Sequence, residues 1–356
     1  MAQDTGAFAE RVFGSILGTI EIASIFMGDR LGLYAALMKD GPATSGEVAE
    51  RAGVAERYAR EWLEQQAAIG YLEVDDPGAD PHARRYELPP GHAEVLTDRD
   101  SMSYLTGFAR MMGASFGVMP ELMDAYRTGG GVSWARFGED MLHGQGDTNR
   151  PLFLSQLGTT WLPRIPGVHE ALQAGGRVAD VGCGTGWSSI AMALAYPAAT
   201  VDGFDIDEAS VDQARLNAAE MGVADRVTFH DRDAAEAEPG GGYDLALAFE
   251  CIHDMPYPTK VLAAMHRLVT GRGSAVVVDE RVQERFAAPA GDVDRLMYGT
   301  SILICLPDGM SHPGSAGTGT VMRPDTLRRY AQEAGFADIE ILPIEHDFFR
   351  AYRLTE

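Results

Sequence analysis

The sequence predicts an α/β protein whose C-terminal half forms a doubly wound, seven-stranded sheet, preceded by an all-helical domain with a winged-helix pattern. Three observations carry this. After Gly175-Gly176, short β-rich runs alternate with helical ones, which is how a parallel sheet with crossover helices reads in sequence. Inside the first alternation stands the stretch Asp180-Val181-Gly182-Cys183-Gly184-Thr185-Gly186, a tight glycine turn between a strand and a helix. Nearer the N-terminus, Thr44-Ser45-Gly46-Glu47 has capping-box spacing ahead of two helical runs separated by Gly53.

At 356 residues the chain is longer than a single core ordinarily grows, so more than one packed unit is expected. We divide it into a winged-helix, dimerisation-type domain over residues 1–100, a helical linker and substrate-pocket region over 101–165, and the sheet domain over 166–356. In the first, helices are expected from Val48 to Ala52 and from Ala55 to Ile69. Tyr58 and Trp62, four apart, share a face with Gln65 and Ala68. Tyr71 to Val74 and Arg85 to Leu88 are placed to pair around Pro77 and Gly78 as the wing.

A winged helix invites a DNA-binding reading, and charge argues against it. Between Gly41 and Asp76, eight acids face Arg51, Arg57 and Arg60, and the whole chain carries a formal charge of −23. Nucleic-acid affinity depends on cations that neutralise phosphates, so neither DNA, RNA nor an anionic membrane is an expected partner. The apolar run from Val12 to Met27 is interrupted by Glu21, and Asp4 and Glu10 precede it where a signal peptide would be basic. It reads as a buried or subunit-contacting helix, and a homodimer is expected. Cys183, Cys251 and Cys305 form no CxxC pair, which fits a reducing, cytoplasmic setting.

Residues 101–165 are rich in Met, Phe and Trp, among them Phe108, Met111, Phe116, Met141, Phe153 and Trp161, and Gly129-Gly130-Gly131 splits the segment. Such side chains serve equally as core or as the lining of an apolar substrate pocket. Beyond them, strands are expected near Arg177 to Val181, Thr200 to Asp205, Val227 to His230, Asp244 to Phe249 and Ser274 to Asp279. Helices fill the gaps near Trp187 to Ala195, Glu208 to Met221, Thr259 to Val269 and Pro324 to Ala334. Asp338 to Pro343 and Asp347 to Leu354 complete the seven strands, one of them antiparallel at or near the edge.

The glycine spacing is GxGxG. A dinucleotide fingerprint requires GxGxxG, and Trp187 occupies its last glycine position, which argues against a nicotinamide oxidoreductase. Asp205 ends the second strand, where a carboxylate can accept hydrogen bonds from both hydroxyls of a ribose. Asp233-Ala234 follow the third strand at the same sheet edge, in reach of an adenine amino group. Three loops therefore converge on one crevice suited to an adenosyl ligand.

These residues resemble the class I S-adenosylmethionine (SAM) dependent methyltransferases of Rossmann-like fold, and the full architecture is similar to small-molecule O-methyltransferases with an N-terminal winged-helix domain. The resemblance implies that Asp180, Gly182, Gly184 and Gly186 surround the methionine part of SAM. It implies further that Asp205 holds the ribose, Ile206 packs on adenine, Asp233 and Ala234 meet its amino group, and Phe249 offers backbone to the methionine amine. In plant-type members a His-Asp pair follows the fourth strand and its histidine is the catalytic base, which here designates His253, with Glu280 as the acid orienting it. Met255 and Pro256 stand where that family has a tryptophan and a polar residue.

Each of these has a plainer reading. His253 would equally be a loop histidine bonded to backbone, and Glu280 a salt-bridge partner of Arg281 or Arg285. His346 and Asp347 read as structural. Leu296 to Met310 would cover the pocket or form a core helix. No HExxH or clustered His and carboxylate spacing is present, so no metal is expected. The segment from Glu250 to Met255 carries no DPPY-like or NPPY-like motif, which points to a small, apolar acceptor without separating oxygen from nitrogen, carbon or sulfur. The alternative class is a SAM-sensing winged-helix regulator.

Overall fold

A computed structural model of the chain describes residues 4–236 and 242–356. It divides into two compact units, one formed by residues 1–116 with 143–151 and the other by 117–142 with 152–356.

The first unit contains α1 (Thr5–Arg30), α2 (Leu33–Asp40), α3 (Ser45–Ala52), α4 (Glu56–Ala68), β1 (Glu73–Val74), β2 (Tyr86–Glu87), α5 (Pro90–Thr97) and most of α6 (Thr106–Gly117). The capping box forms as expected: Thr44 Oγ1 accepts from the Glu47 N–H at 3.3 Å, and Glu47 returns a carboxylate to the Thr44 N–H at 2.7 Å. β1 and β2 pair antiparallel as the wing. The core collects around Trp62, which meets Tyr34 edge-on at 5.0 Å between ring centroids and donates its indole N–H to the Ser24 carbonyl. The buried stripe of α4 is Ala59, Trp62, Leu63 and Gln66. Tyr58 does not join it and stands 79% exposed, because a helix turns 400° over four residues and Tyr58 falls on the solvent side of the narrow stripe.

Of the two readings of helix α1, buried or subunit-contacting, the structure sets aside burial for most of its length. Its buried residues are Ser24, Ile25 and Gly28, at its C-terminal end, whereas Phe8, Val12, Phe13, Ile16, Leu17 and Ile20 are exposed. By length and composition alone the helix is long and apolar enough to cross a membrane.

The second unit adds α7 (Met119–Thr128), α8 (Trp134–Phe137) and the start of α9 (Glu139–Leu152), then a π-helical segment, Phe153–Trp161, and α10 (Val168–Gln173). The sheet domain follows as β3 (Arg177–Val181), α11 (Trp187–Ala195), β4 (Thr200–Asp205), α12 (Glu208–Glu220), β5 (Val227–Asp231), β6 (Tyr243–Phe249), α13 (Pro258–Leu268) and β7 (Val269–Glu280). It ends with α14 (Asp292–Thr300), a second π-helical segment at Ser301–Cys305, α15 (Leu306–Gly309), α16 (Pro324–Glu333), β8 (Asp338–Ile341) and β9 (Phe349–Thr355).

The strand order is β5-β4-β3-β6-β7-β9-β8, parallel except for β9, which runs antiparallel to both β7 and β8. The expected antiparallel strand is therefore second from the edge. Apolar layers cover both faces: Val178, Leu245 and Leu247 face the layer that holds α11 and the Phe153–Trp161 segment, while Ala179, Ala246 and Ala248 face the layer with α13 and α16. The central strand β6, buried along nearly its whole length, reads as a nearly unbroken apolar run. The order reverses between β3 and β6, and a ligand crevice belongs at the carboxyl ends of the strands at such a point.

Candidate active site

The end of β3 builds the first wall. Asp180 is fully buried, and its Oδ2 accepts hydroxyl hydrogen bonds from Ser188 at 2.6 Å and Ser189 at 2.5 Å on α11. Burial pushes its carboxyl up to about 6, against the pull of the two serine hydroxyls. Its Oδ1 has no hydrogen-bond partner among the described residues. Asp180 therefore pins the glycine turn to α11 from below.

Above it the chain turns through Gly182, Gly184 and Gly186, all at positive φ (68°, 51° and 82°). The three are not equivalent. A Cβ on Gly182 would lie 2.7 Å from Cys251 Sγ, and one on Gly186 would lie 2.6 Å from the Phe229 ring, whereas a Cβ on Gly184 meets nothing within 4 Å. The outer two glycines serve packing, and the middle one leaves open space at the turn's apex.

Asp205, at the end of β4, ties the turn in place by accepting from the Gly184 N–H at 2.8 Å and from the Asp207 N–H at 3.0 Å. Burial raises its carboxyl above the ordinary value although these backbone donors oppose the shift. Ile206 beside it is 60% exposed. Asp233 accepts from the Ala235 N–H at 2.8 Å, and Ala234 is buried. The Phe249 ring points into the core, stacked on Trp161 at 5.5 Å and edge-on to Phe153 at 4.7 Å, so only its backbone is left for the crevice.

Directly after β6, Glu250 adopts φ 50°, a left-handed turn rare for a residue with a side chain. The turn brings Cys251 against Gly182 and carries the chain into His253, which is only 2% exposed. His253 Nδ1 lies 2.9 Å from Asp279 Oδ1 and 3.0 Å from Glu280 Oε2. Nδ1 carries one proton, and the hydrogen bond assigns it to Asp279. Burial works against a charged ring, but Glu280 and Asp279 outweigh it and hold the imidazole well above its usual value. Burial drives Glu280 well above the ordinary carboxyl range, while the His253 charge keeps Asp279 below it against the effect of burial.

Glu280 thus faces His253 and not the arginines beside it; Arg281 instead donates to the His346 carbonyl at 2.9 Å. His346 packs against Trp161 and stacks on Phe349. Sequence reasoning missed Asp279 as the hydrogen-bond partner of His253. The doublet was visible, but strand alternation assigns only one of two neighbours to a given face. Both reach the ring because the strand ends there. The segment from Leu296 to Met310 supplies Cys305, whose thiol is within hydrogen-bonding reach of the His253 ring, and Asp308, which accepts from the Trp134 N–H at 2.7 Å.

Comparison with known proteins decides the family. A family model described as a methyltransferase domain matches residues 172–319, and one described as an Rv2258c-like winged HTH domain matches residues 20–98. The ubiquinone biosynthesis O-methyltransferase of Aromatoleum aromaticum is 32% identical over 196 residues, covering 54% of this chain and 76% of that protein. The chain belongs to the SAM-dependent methyltransferases. The methyltransferase is also 30% identical over 185 residues to the 27-O-demethylrifamycin SV methyltransferase of Amycolatopsis mediterranei, covering 51% of this chain and 67% of the other. Its fold resembles that of the mitomycin 7-O-methyltransferase MmcR, with a TM-score of 0.72 at 20% identity and 98% of each chain covered. It is likewise similar to human N-acetylserotonin methyltransferase in complex with SAM, with a TM-score of 0.70 at 18% identity and coverage of 100% of this chain and 99% of that one. The enzyme uses SAM to methylate a small molecule.

Proposed function

We propose that this methyltransferase transfers the methyl group of SAM to a hydroxyl of a small, largely apolar acceptor, with His253 as general base. The reading rests on one observation: a buried histidine, its Nδ1 tied to Asp279 at 2.9 Å, stands on the loop that packs against Gly182 of the glycine turn. Relatives named as O-methyltransferases support the choice of oxygen.

The residues fit the cofactor. The open space at Gly184, the exposed face of Ile206 and the carboxylate of Asp205 lie along one sheet edge. In this reading Gly182, Gly184 and Gly186 cradle the methionine part with Asp180 beneath them and the Phe249 backbone beside it, Asp205 takes the ribose hydroxyls, Ile206 covers adenine, and Asp233 with Ala234 meets its amino group. When bound, SAM supplies an activated methyl group on a good leaving group, so the protein has mainly to align the acceptor and exclude water. Asp279 holds the imidazole so that Nε2 is the nitrogen that takes the acceptor proton, and Glu280 completes the clamp. No metal is required.

Replacing His253 by Ala tests this. Turnover should fall by about 10² to 10⁴ fold, the usual worth of general-base catalysis, with SAM affinity nearly unchanged. Unaltered turnover on a good acceptor would remove His253 from the chemistry. We further propose that the exposed apolar face of α1 forms a homodimer interface and that the enzyme works in the cytosol, where its three unpaired cysteines stay reduced.

A further inference from the structure

One ligand atom from each of His253, Asp254 and Cys305 lies within 4.8 Å of the other two. Zinc is bound about 2.0–2.1 Å from nitrogen, 2.3 Å from sulfur and 2.0–2.2 Å from carboxylate oxygen, which sets its ligand atoms roughly 3.3–3.8 Å apart in a tetrahedron. Side chains already this close need only small rotations to meet one ion. The donor set of imidazole, thiol and one carboxylate suits zinc and disfavours magnesium or calcium, which take oxygen. A second feature points the same way. Metal-bound histidines donate their other ring N–H to a carboxylate or a carbonyl, which fixes tautomer and orientation. His253 already does so, with Nδ1 on Asp279 at 2.9 Å, leaving Nε2 for another partner. Asp254 and Cys305 are half-buried, so an ion can enter from solvent.

The cluster formed by His253, Asp279 and Glu280 is the weaker candidate. It would take the ring through Nδ1, breaking the Asp279 hydrogen bond, and it offers no sulfur.

We propose that His253, Asp254 and Cys305 form a zinc-type site on the acceptor side of the crevice, and that an ion held there stops methyl transfer by occupying the nitrogen the base needs. As the ion binds, three protons leave to solvent: one from the Cys305 thiol, one from Nε2 of the His253 imidazolium, and one from the Asp254 carboxyl, which burial pushes up to about 8, so that thiolate, neutral imidazole and carboxylate meet the metal. A fourth position is left for water. Metal binding stands independently of the function proposed above; only the inhibition rests on it.

Cobalt(II) reports on such sites because a bound thiolate gives a charge-transfer band in the near ultraviolet. The full-length, reduced protein, freed of metal with a chelator, is titrated with cobalt chloride and, by calorimetry, with zinc chloride. We expect one ion per chain and a thiolate band in the wild type, loss of the band in Cys305→Ser, and zinc affinity reduced by more than about tenfold in both Cys305→Ser and His253→Gln. S-adenosylhomocysteine binding by each variant establishes that it is folded. Absence of the band in the wild type, or its survival in Cys305→Ser, overturns the site. Zinc bound as expected without slowing methyl transfer overturns the inhibition and, separately, the assignment of His253 as base.

Discussion

Adding one methyl group to the glycine turn should separate cofactor binding from folding. Gly184 and Gly186 lie two residues apart with φ of 51° and 82°, so an alanine at either must enter the left-handed region, at a cost of about 1–2 kcal/mol. At Gly186 the new Cβ would also lie 2.6 Å from the Phe229 ring and 2.9 Å from Ala214 Cβ. Overpacking of that kind costs about 1–3 kcal/mol more, so Gly186→Ala should lose roughly 2–5 kcal/mol of stability. For a unit of this size each kcal/mol lowers Tm by about 2–4 °C. At Gly184 no atom lies within 4 Å, so Gly184→Ala should lose only the conformational part while its methyl group occupies space taken by the ligand. Calorimetry with S-adenosylhomocysteine should show affinity reduced by at least about tenfold, or about 1.4 kcal/mol. Scanning calorimetry and S-adenosylhomocysteine titration of both variants give the two readouts. Wild-type affinity in Gly184→Ala would mean that the turn does not hold the cofactor. Equal Tm values for the two variants would refute the distinction drawn from their surroundings.

Three further outcomes follow from the geometry. Asp205→Ala removes a carboxylate whose charged hydrogen bonds to the ribose are worth about 1.5–3 kcal/mol each, so S-adenosylhomocysteine affinity should drop by at least about tenfold; a smaller change by calorimetry would place the ribose elsewhere. With the neutral ring as the proposed base and Glu280 and Asp279 raising His253 above its ordinary value, kcat/KM should climb with pH to well above neutrality. Asp279→Asn should move that acid limb to lower pH while reducing kcat, and an unmoved limb would exclude Asp279 from control of the ring. By the same linkage the His253 pair contributes stability that is full below about pH 6.5 and is lost as pH rises through the raised folded value. Finally, sedimentation of the wild type should give a dimer at micromolar concentration and Ile16→Glu with Ile20→Glu a monomer; a monomeric wild type would rule out the α1 interface.

All seven strands were legible, some residue by residue, although β7 starts at Val269, five residues before the expected Ser274. Arg177–Val181 and Thr200–Asp205 were delimited in the sequence as they stand in the structure. The glycine turn and Asp205 were legible as well, since backbone geometry demands those residue types at those spacings. What depended on tertiary contact was not. The stack of Phe153, Trp161 and Phe249 joins segments far apart in the chain, and periodicity carries no sign of it. Likewise the pairing of His253 with Asp279, the left-handed Glu250 and the two π-helical segments arise where the chain is bent to fit its neighbours. Tyr58 failed for the complementary reason: helical phase alone does not say how wide the buried stripe is.

The order in which the sheet can close has its own significance. Strand β8 precedes β9 in the chain, yet its one neighbour in the sheet is β9, which lies between it and β7. During synthesis β8 therefore cannot join the sheet before β9 has emerged to link it to β7. That link sets Phe349 and Arg350 opposite Glu280 and Asp279. The carboxylates that grip His253 thus stand on a strand left uncovered until the segment Phe349–Thr355 arrives.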